Sequence, residues 1–319
     1  MSLQIDPSQV VPVRPAATVM LVRDRARGAG GIEVCMLQRN LNSDFVGGAY
    51  VFPGGGVDPD DGEAEVGRIC LGLNDAEASA QLGLPSNGLA FWVAAVRETL
   101  EEAGLLMAVR GDGNPLDFSD PGLVARFSEY RRQVDRRERR LVEVCAEEDL
   151  RLSLEAMYYV GRWITPPGSP RRYDTRFFLA AAPDGQRAVQ DDREVISAQW
   201  IAPDEALDRH DRSEFAMLPP TVANLRMLRE YDSTVAALEG AATFGPVHTV
   251  APRIVSDAAG IRIVMPGDPA YDDAYAGDNS LSSWPGTEHR SGADWEQGVP
   301  VGTVHIGMGD GDVTSPSSS

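Results

Sequence analysis

Between Gly88 and Gly104 the chain runs for fifteen residues, Leu89 to Ala103, without a glycine or a proline. A run of that kind with a glycine stop predicts a helix of about four turns. Its last part reads Arg97-Glu98-Thr99-Leu100-Glu101-Glu102-Ala103-Gly104. Glu98, Glu101 and Glu102 stand at i, i+3 and i+4, which puts three carboxylates on one helical face. Like charges so placed repel by a few tenths of a kcal/mol per pair. Negative charge near a helix C-terminus also opposes the helix dipole. Something positive has to offset both effects. Hard divalent cations take oxygen ligands, so this face suits a metal cradle. The competing reading is a solvated acidic face, since charge runs commonly point to water; the flanking residues have to decide.

The 319 residues carry 29 Lys and Arg against 48 Asp and Glu, a formal charge of −19. That balance argues against a nucleic-acid partner, which needs excess Lys and Arg. It leaves room for a small anionic substrate, because a divalent cation or a few local arginines reverse the sign of one pocket. The apolar fraction of 43% and charged fraction of 24% are ordinary for a soluble globular chain. Cys35, Cys70 and Cys145 are widely spaced and odd in number, so neither a disulfide framework nor a zinc site is signalled. The opening residues lack a signal-peptide pattern, and no apolar run approaches the ~20 residues of a membrane span. The expectation is a cytoplasmic protein with no membrane partner.

Residues 1–13 read as a lead-in. Ala16 to Arg23 and Ile32 to Arg39 read as strands joined through a Gly-rich tip, a hairpin. Gly47 to Gly56 is a short apolar piece entering a Gly-rich loop, and 57–88 is acidic and small. Residues 121–161 read as helical, with Arg131 to Arg140 as a solvated face. Thr175 to Ala181 and Val195 to Ile201 are strand candidates. Pro203 to His210 and Pro220 to Tyr231 read as short helices. Residues 241–319 form an extension in which Arg253 to Met265 adds a small β element, and the chain past about 277 has a disordered composition.

Arg97-Glu98-x-x-Glu101-Glu102-x-Gly104, with Phe52-Pro53-Gly54-Gly55 upstream, resembles the Nudix hydrolases, whose signature is Gly-x5-Glu-x7-Arg-Glu-U-x-Glu-Glu-x-Gly-U with U bulky and aliphatic. Thr99 stands at the first U. The resemblance implies an α/β fold, an α/β/α sandwich around a mixed β-sheet, over about residues 14–240. It implies Glu98, Glu101 and Glu102 as metal ligands for Mg²⁺ or Mn²⁺, with Arg97 orienting a carboxylate. Gly54 and Gly55 would bring the loop close to the helix. Gly55 and Arg97 are 42 positions apart, against 14 in the signature, so about 28 residues are inserted. From sequence the signature Glu has to come from Asp61, Glu63 or another residue of the 57–88 insert. A second, helical insertion is expected over 110–161.

The insert, with Trp163-Ile164-Thr165-Pro166 and Arg171-Arg172-Tyr173-Asp174-Thr175 downstream, resembles the peroxisomal coenzyme A diphosphatase branch of that family, the branch of Nudix motif nineteen. The implied activity is metal-dependent hydrolysis of a diphosphate linkage in coenzyme A or acyl-coenzyme A. ADP-ribose, NADH and dinucleoside polyphosphates are the alternative substrates, and a non-catalytic nucleotide sensor is the alternative role. Glu194 is the candidate base or further ligand, with Asp174 second; each has a polar-turn or ion-pair reading beside it. Arg39, Arg171 and Arg172 are candidates for gripping a substrate phosphate. Tyr50, Phe52 and Trp163 read as core or rim. His210, His248, His289 and His305 form no metal spacing. The partner is a small nucleotide, and a homodimer stays open.

Overall fold

A computed structural model describes residues 11–26, 30–40, 47–190, 194–257 and 260–274. The opening hairpin forms as expected, β1 (Val13–Asp24) antiparallel to β2 (Ile32–Arg39). The Gly-rich loop supplies β3 (Tyr50–Val51) beside β2 and β4 (Gly54–Gly56) beside β1. A 3-10 turn at Pro59–Gly62, β5 (Cys70–Leu71) and α1 (Asp75–Leu82) then lead to α2 (Leu89–Ala103). Next come β6 (Ala108–Arg110), α3 (Pro121–Asp135), α4 (Leu141–Glu147), β7 (Leu150–Ser153), β8 (Tyr158–Ile164) and β9 (Arg172–Ala181). The chain continues through β10 (Val195–Ile201), α5 (Pro203–Asp211), α6 (Pro219–Leu228), α7 (Thr234–Ala242), β11 (Thr249–Val250) and the hairpin β12 (Arg253–Asp257) and β13 (Gly260–Val264).

The main sheet runs β10-β2-β1-β9-β8-β11, with β3 and β4 attached. It is mixed: β1 lies parallel to β9, and β11 parallel to β8. Strand β1 is buried on both faces, and its alternation separates two cores. Ala17, Val19 and Leu21 pack with α2 and its neighbours, whereas Met20 and Val22 pack with residues of α5, α6 and α7. Helices therefore cover both faces of the sheet, the expected α/β/α sandwich.

One stretch differs from expectation. Residues 121–161 hold two helices and then turn to strand at Leu150, where β7 joins β5 and β6 in a small second sheet and β8 enters the main one. Leu150 and Leu152 are fully buried while Arg151 and Ser153 are not, so the period is two, and the charge of the preceding helices masks it in the sequence. The chain past 277, expected to be disordered, lies outside the described residues, as do His289 and His305.

Candidate active site

The elements around α2 explain why its acidic end is held in place. At its start, the Asp75 carboxylate of α1 accepts from the Asn87 and Leu89 amides at 3.0 Å each, and Ser79 Oγ accepts from the Gly88 amide at 2.9 Å. These are helix-start N–H groups that would otherwise lack partners. A Cβ at Gly88 would stand 2.3 Å from the Ser79 nitrogen, so this close approach needs glycine. Helix α1 thus braces the start of α2. Trp92 Nε1 donates to the Met157 carbonyl at 3.0 Å from the helix's buried side. Thr99, in place of an aliphatic residue, is fully buried, and its hydroxyl donates to the Ala95 carbonyl at 2.7 Å.

At the other end Gly104 adopts φ +67° and its amide donates to the Leu100 carbonyl at 3.0 Å. Arg131 of α3 then donates from Nε to the Glu101 carbonyl at 2.9 Å and from Nη2 to the Glu102 carbonyl at 3.0 Å. A cation on the last carbonyls offsets the helix dipole where the acidic side chains oppose it. Arg131 is therefore a cap of α2, and the expectation that Arg131 to Arg140 form a solvated face fails at its first residue.

Arg97 organises the acidic face. The residue is 8% exposed, and its guanidinium forms a bidentate pair with Asp61, Nε to Oδ1 at 2.9 Å and Nη2 to Oδ2 at 3.0 Å. Nη1 donates to Glu98 at 2.8 Å and to Glu101 at 3.2 Å, and Nη2 donates to the Gly56 carbonyl at 2.7 Å. Glu102 turns the other way and accepts from the Gly54 amide at 2.9 Å. One arginine thus ties together the 3-10 turn, the glycine loop and two of the three glutamates. Asp61 answers the question the sequence left open. It follows Gly55 with five residues between, the spacing of the resembled signature.

Both glycines are required by space. A Cβ at Gly55 would stand 2.6 Å from the Glu98 carboxylate. At Gly54, where φ is +154°, a Cβ would stand 2.4 Å from the Ala17 carbonyl oxygen.

Charge is poorly balanced here. Asp61, Glu98 and Glu101 share the Arg97 guanidinium, Glu102 rests beside them on the Gly54 amide, and all four are largely buried. Burial pushes the Glu101 carboxyl up to about 8 against the pull of Arg97, with the Glu98 charge adding to the rise. Burial, then the charge of Glu98, lift Glu102 well above the usual carboxylate range, and Glu194 contributes a smaller push. Glu98 is raised by burial as well. Burial acts against the Arg97 charge, but Asp61 and Glu98 outweigh it, and its pKa rises. Among the described residues no three His, Cys, Asp or Glu side chains close on one point as a ready cation cage. The donor set nevertheless fits a hard divalent cation: all its atoms are oxygens, and its surplus negative charge is what such an ion would neutralise.

The face opens into a cavity of about 460 Å³. Glu98, Glu101, Glu102, Gly54, Gly55 and Glu194 all line it, as do Arg39 and Arg171. Arg172 does not. It is 3% exposed and its Nε donates to the Thr165 carbonyl at 3.1 Å, because at the first residue of β9 it alternates away from Arg171 and Tyr173. Asp174 also leaves the candidate set. It is fully buried between Arg162, 2.9 Å from Nε to Oδ1, and Arg176. Burial raises its pKa, but Arg176 and Arg162 outweigh that and hold it below the usual carboxylate value. Arg137, at φ +57° and paired with Asp58 at 3.0 Å, lines the cavity too and was not singled out from sequence. Trp163 and Phe52 are buried, and Tyr50 stacks on Phe215 with centroids 3.4 Å apart, as core or rim residues should. The three cysteines are free, and no helix among the described residues is long and apolar enough to cross a membrane.

The family model described as the NUDT19 Nudix domain matches residues 68–228, half of the chain. The acyl-coenzyme A diphosphatase NUDT19 of Gallus gallus is 30% identical, over 84% of this chain and 83% of its own. The Homo sapiens protein of the same name is 29% identical, over 82% and 78%. Among solved structures, a Nudix hydrolase from Alicyclobacillus acidocaldarius superimposes with a TM-score of 0.58 at 27% identity, covering 75% of this chain and 99% of that one.

Proposed function

Because this chain belongs to the Nudix hydrolases, in the NUDT19 branch, we propose that it is a divalent-metal-dependent diphosphatase of coenzyme A and its acyl thioesters. The observation that carries this reading is the set of buried carboxylates around Arg97, opening into a cavity that also presents Arg39 and Arg171. The names of the relatives support the choice of substrate.

Glu98, Glu101 and Glu102 are the proposed ligands of Mg²⁺ or Mn²⁺. A bound divalent cation supplies neutralisation of the diphosphate charge and lowers the pKa of water. The chain's own contribution is positioning. Arg97 holds Glu98 and Glu101 in one orientation, and the Gly54 amide holds Glu102. Arg39 and Arg171 bind phosphate oxygens by charge-assisted hydrogen bonds. Glu194, at the start of β10 and close enough to raise the Glu102 pKa, accepts the proton of the attacking water.

Purified protein incubated with Mg²⁺ or Mn²⁺ and a panel of coenzyme A, acyl-coenzyme A, ADP-ribose, NADH and dinucleoside polyphosphates tests the proposal. The expected products are 3′,5′-ADP and 4′-phosphopantetheine or its acyl form. Cleavage of other panel members with coenzyme A untouched overturns the substrate; no turnover of any member overturns the catalytic role.

A further inference from the structure

The cavity has an acidic and basic part and an apolar part, and the apolar part is built by segments far apart in the chain. Its floor follows a line of register partners across four strands, with a fifth strand behind them. Gly56 of β4 pairs with Ala16 of β1, Ala16 with Thr175 of β9, Thr175 with Trp163 of β8, and Trp163 with Val250 of β11. At roughly 4.8 Å per strand, the three steps from Gly56 to Trp163 carry the cavity floor about 14 Å from the glycine loop, and β11 backs it from beyond. Phe177, two residues from Thr175 on the same face, widens it.

The wall at this end comes from the C-terminal hairpin. Pro252, Ile263 and Met265 line the cavity. They lie beyond the stretch 68–228 that matches the family model. The hairpin is a fixed part of the fold. Met265 is 3% exposed and packs in the same core as Trp163 and Phe177. Tyr271 Oη donates to the Ala251 carbonyl at 2.7 Å, and Arg253 Nη1 donates to the Tyr271 carbonyl at 2.8 Å with its guanidinium 4.1 Å above the Tyr271 ring. Ile263, in contrast, is only half-buried, so the cavity leaves part of it uncovered.

We infer that the β12–β13 hairpin, with Trp163 and Phe177, is a specificity subsite for the apolar acyl arm of a thioester substrate whose diphosphate sits at the glutamate face. The assignment of the two ends rests on the diphosphatase reading above. Ile263 and Met265 set how much of the arm is held.

Equilibrium binding to the metal-free protein in EDTA, where no turnover contributes, tests it with S-acyl-pantetheines of two to eight acyl carbons and with 3′,5′-ADP. Wild type should bind longer chains more tightly, by up to about fourfold per buried methylene. Ile263→Trp, which fills the subsite, should weaken the eight-carbon probe by about tenfold or more while 3′,5′-ADP binds as before. Ile263→Ser, at a half-buried position that accepts it, should flatten the chain-length dependence with an unchanged melting temperature. Affinity independent of chain length, or equal loss for both probes in the folded variants, overturns the subsite. The two readings separate cleanly. Chain-length-dependent binding without cleavage of any coenzyme A upholds the subsite and removes the diphosphatase. Cleavage of coenzyme A with no chain-length dependence does the reverse.

Discussion

Arg97 and Asp61 meet across 36 sequence positions in a bidentate pair, Nε to Oδ1 at 2.9 Å and Nη2 to Oδ2 at 3.0 Å. The same guanidinium holds Glu98 and Glu101, so the pair fixes the acidic face as well as the turn that carries Asp61. Glu98 and Glu101 still neutralise Arg97 when the Asp61 charge is removed, so Asp61→Asn loses one arm of the buried bidentate hydrogen bond and leaves an Asn N–H facing the guanidinium. Asp61→Asn should therefore cost about 2 kcal/mol in denaturant unfolding. Asp61→Glu, which supplies the residue of the family signature, should recover part of that loss. Wild-type stability in Asp61→Asn would remove the organising role given to this pair.

The two loop glycines should fail in different ways. At Gly54 the added Cβ meets backbone at 2.4 Å and φ is +154°, so Gly54→Ala should destabilise by about 2 kcal/mol or more. At Gly55 the obstacle is the end of the Glu98 side chain, which can swing aside. Gly55→Ala should keep its melting temperature within a few degrees and lose turnover by about tenfold or more as Glu98 is displaced. Thermal unfolding and steady-state assays on both variants check the contrast.

Much of this was legible in the sequence because it depends on local signals. A glycine-free run closed by Gly104 gave α2 its bounds, and the hairpin and β10 followed from alternation and a Gly-rich tip. What stayed hidden depends on distant segments meeting. Arg131 reads as one member of a charged run until α3 lies against the end of α2. Arg172 reads as part of a basic loop, and the partners of Asp174 in its ion pair, Arg162 and Arg176, stay hidden until the start of β9 is seen to bury both residues. The apolar wall formed by Ile263 and Met265 meets Trp163 through long-range packing that includes the pairing of β11 on β8. Asp61 is different, because its five-residue spacing from Gly55 is local and legible in the sequence.

Asp174 should govern part of the acid stability. Its pKa lies below the ordinary value of 3.8 in the folded chain, since Arg176 and Arg162 outweigh the effect of burial. A carboxylate with a depressed folded pKa contributes stability above its unfolded pKa and loses it as pH falls through the folded one. Asp174→Asn should then be destabilised by about 3 kcal/mol at pH 7, with the difference from wild type shrinking below about pH 4. Denaturant unfolding across pH 2.5 to 7 reads this out, and a difference that persists unchanged at the acid end contradicts it.

Glu101→Gln removes a like charge from the crowded helix face. The metal-free variant should keep its melting temperature or gain about 1 °C, while turnover falls by about a hundredfold or more. A melting temperature that drops in proportion to the lost activity would make Glu101 a stability residue instead.

The account's central claim is that the three glutamates of α2 converge to bind a divalent cation, and Mn²⁺ affinity of the substrate-free protein measures that most directly. Titration followed by electron paramagnetic resonance should show saturable Mn²⁺ binding to wild type, weakened about tenfold or more in each of Glu98→Gln, Glu101→Gln and Glu102→Gln. Equal Mn²⁺ affinity in wild type and all three folded variants would contradict it.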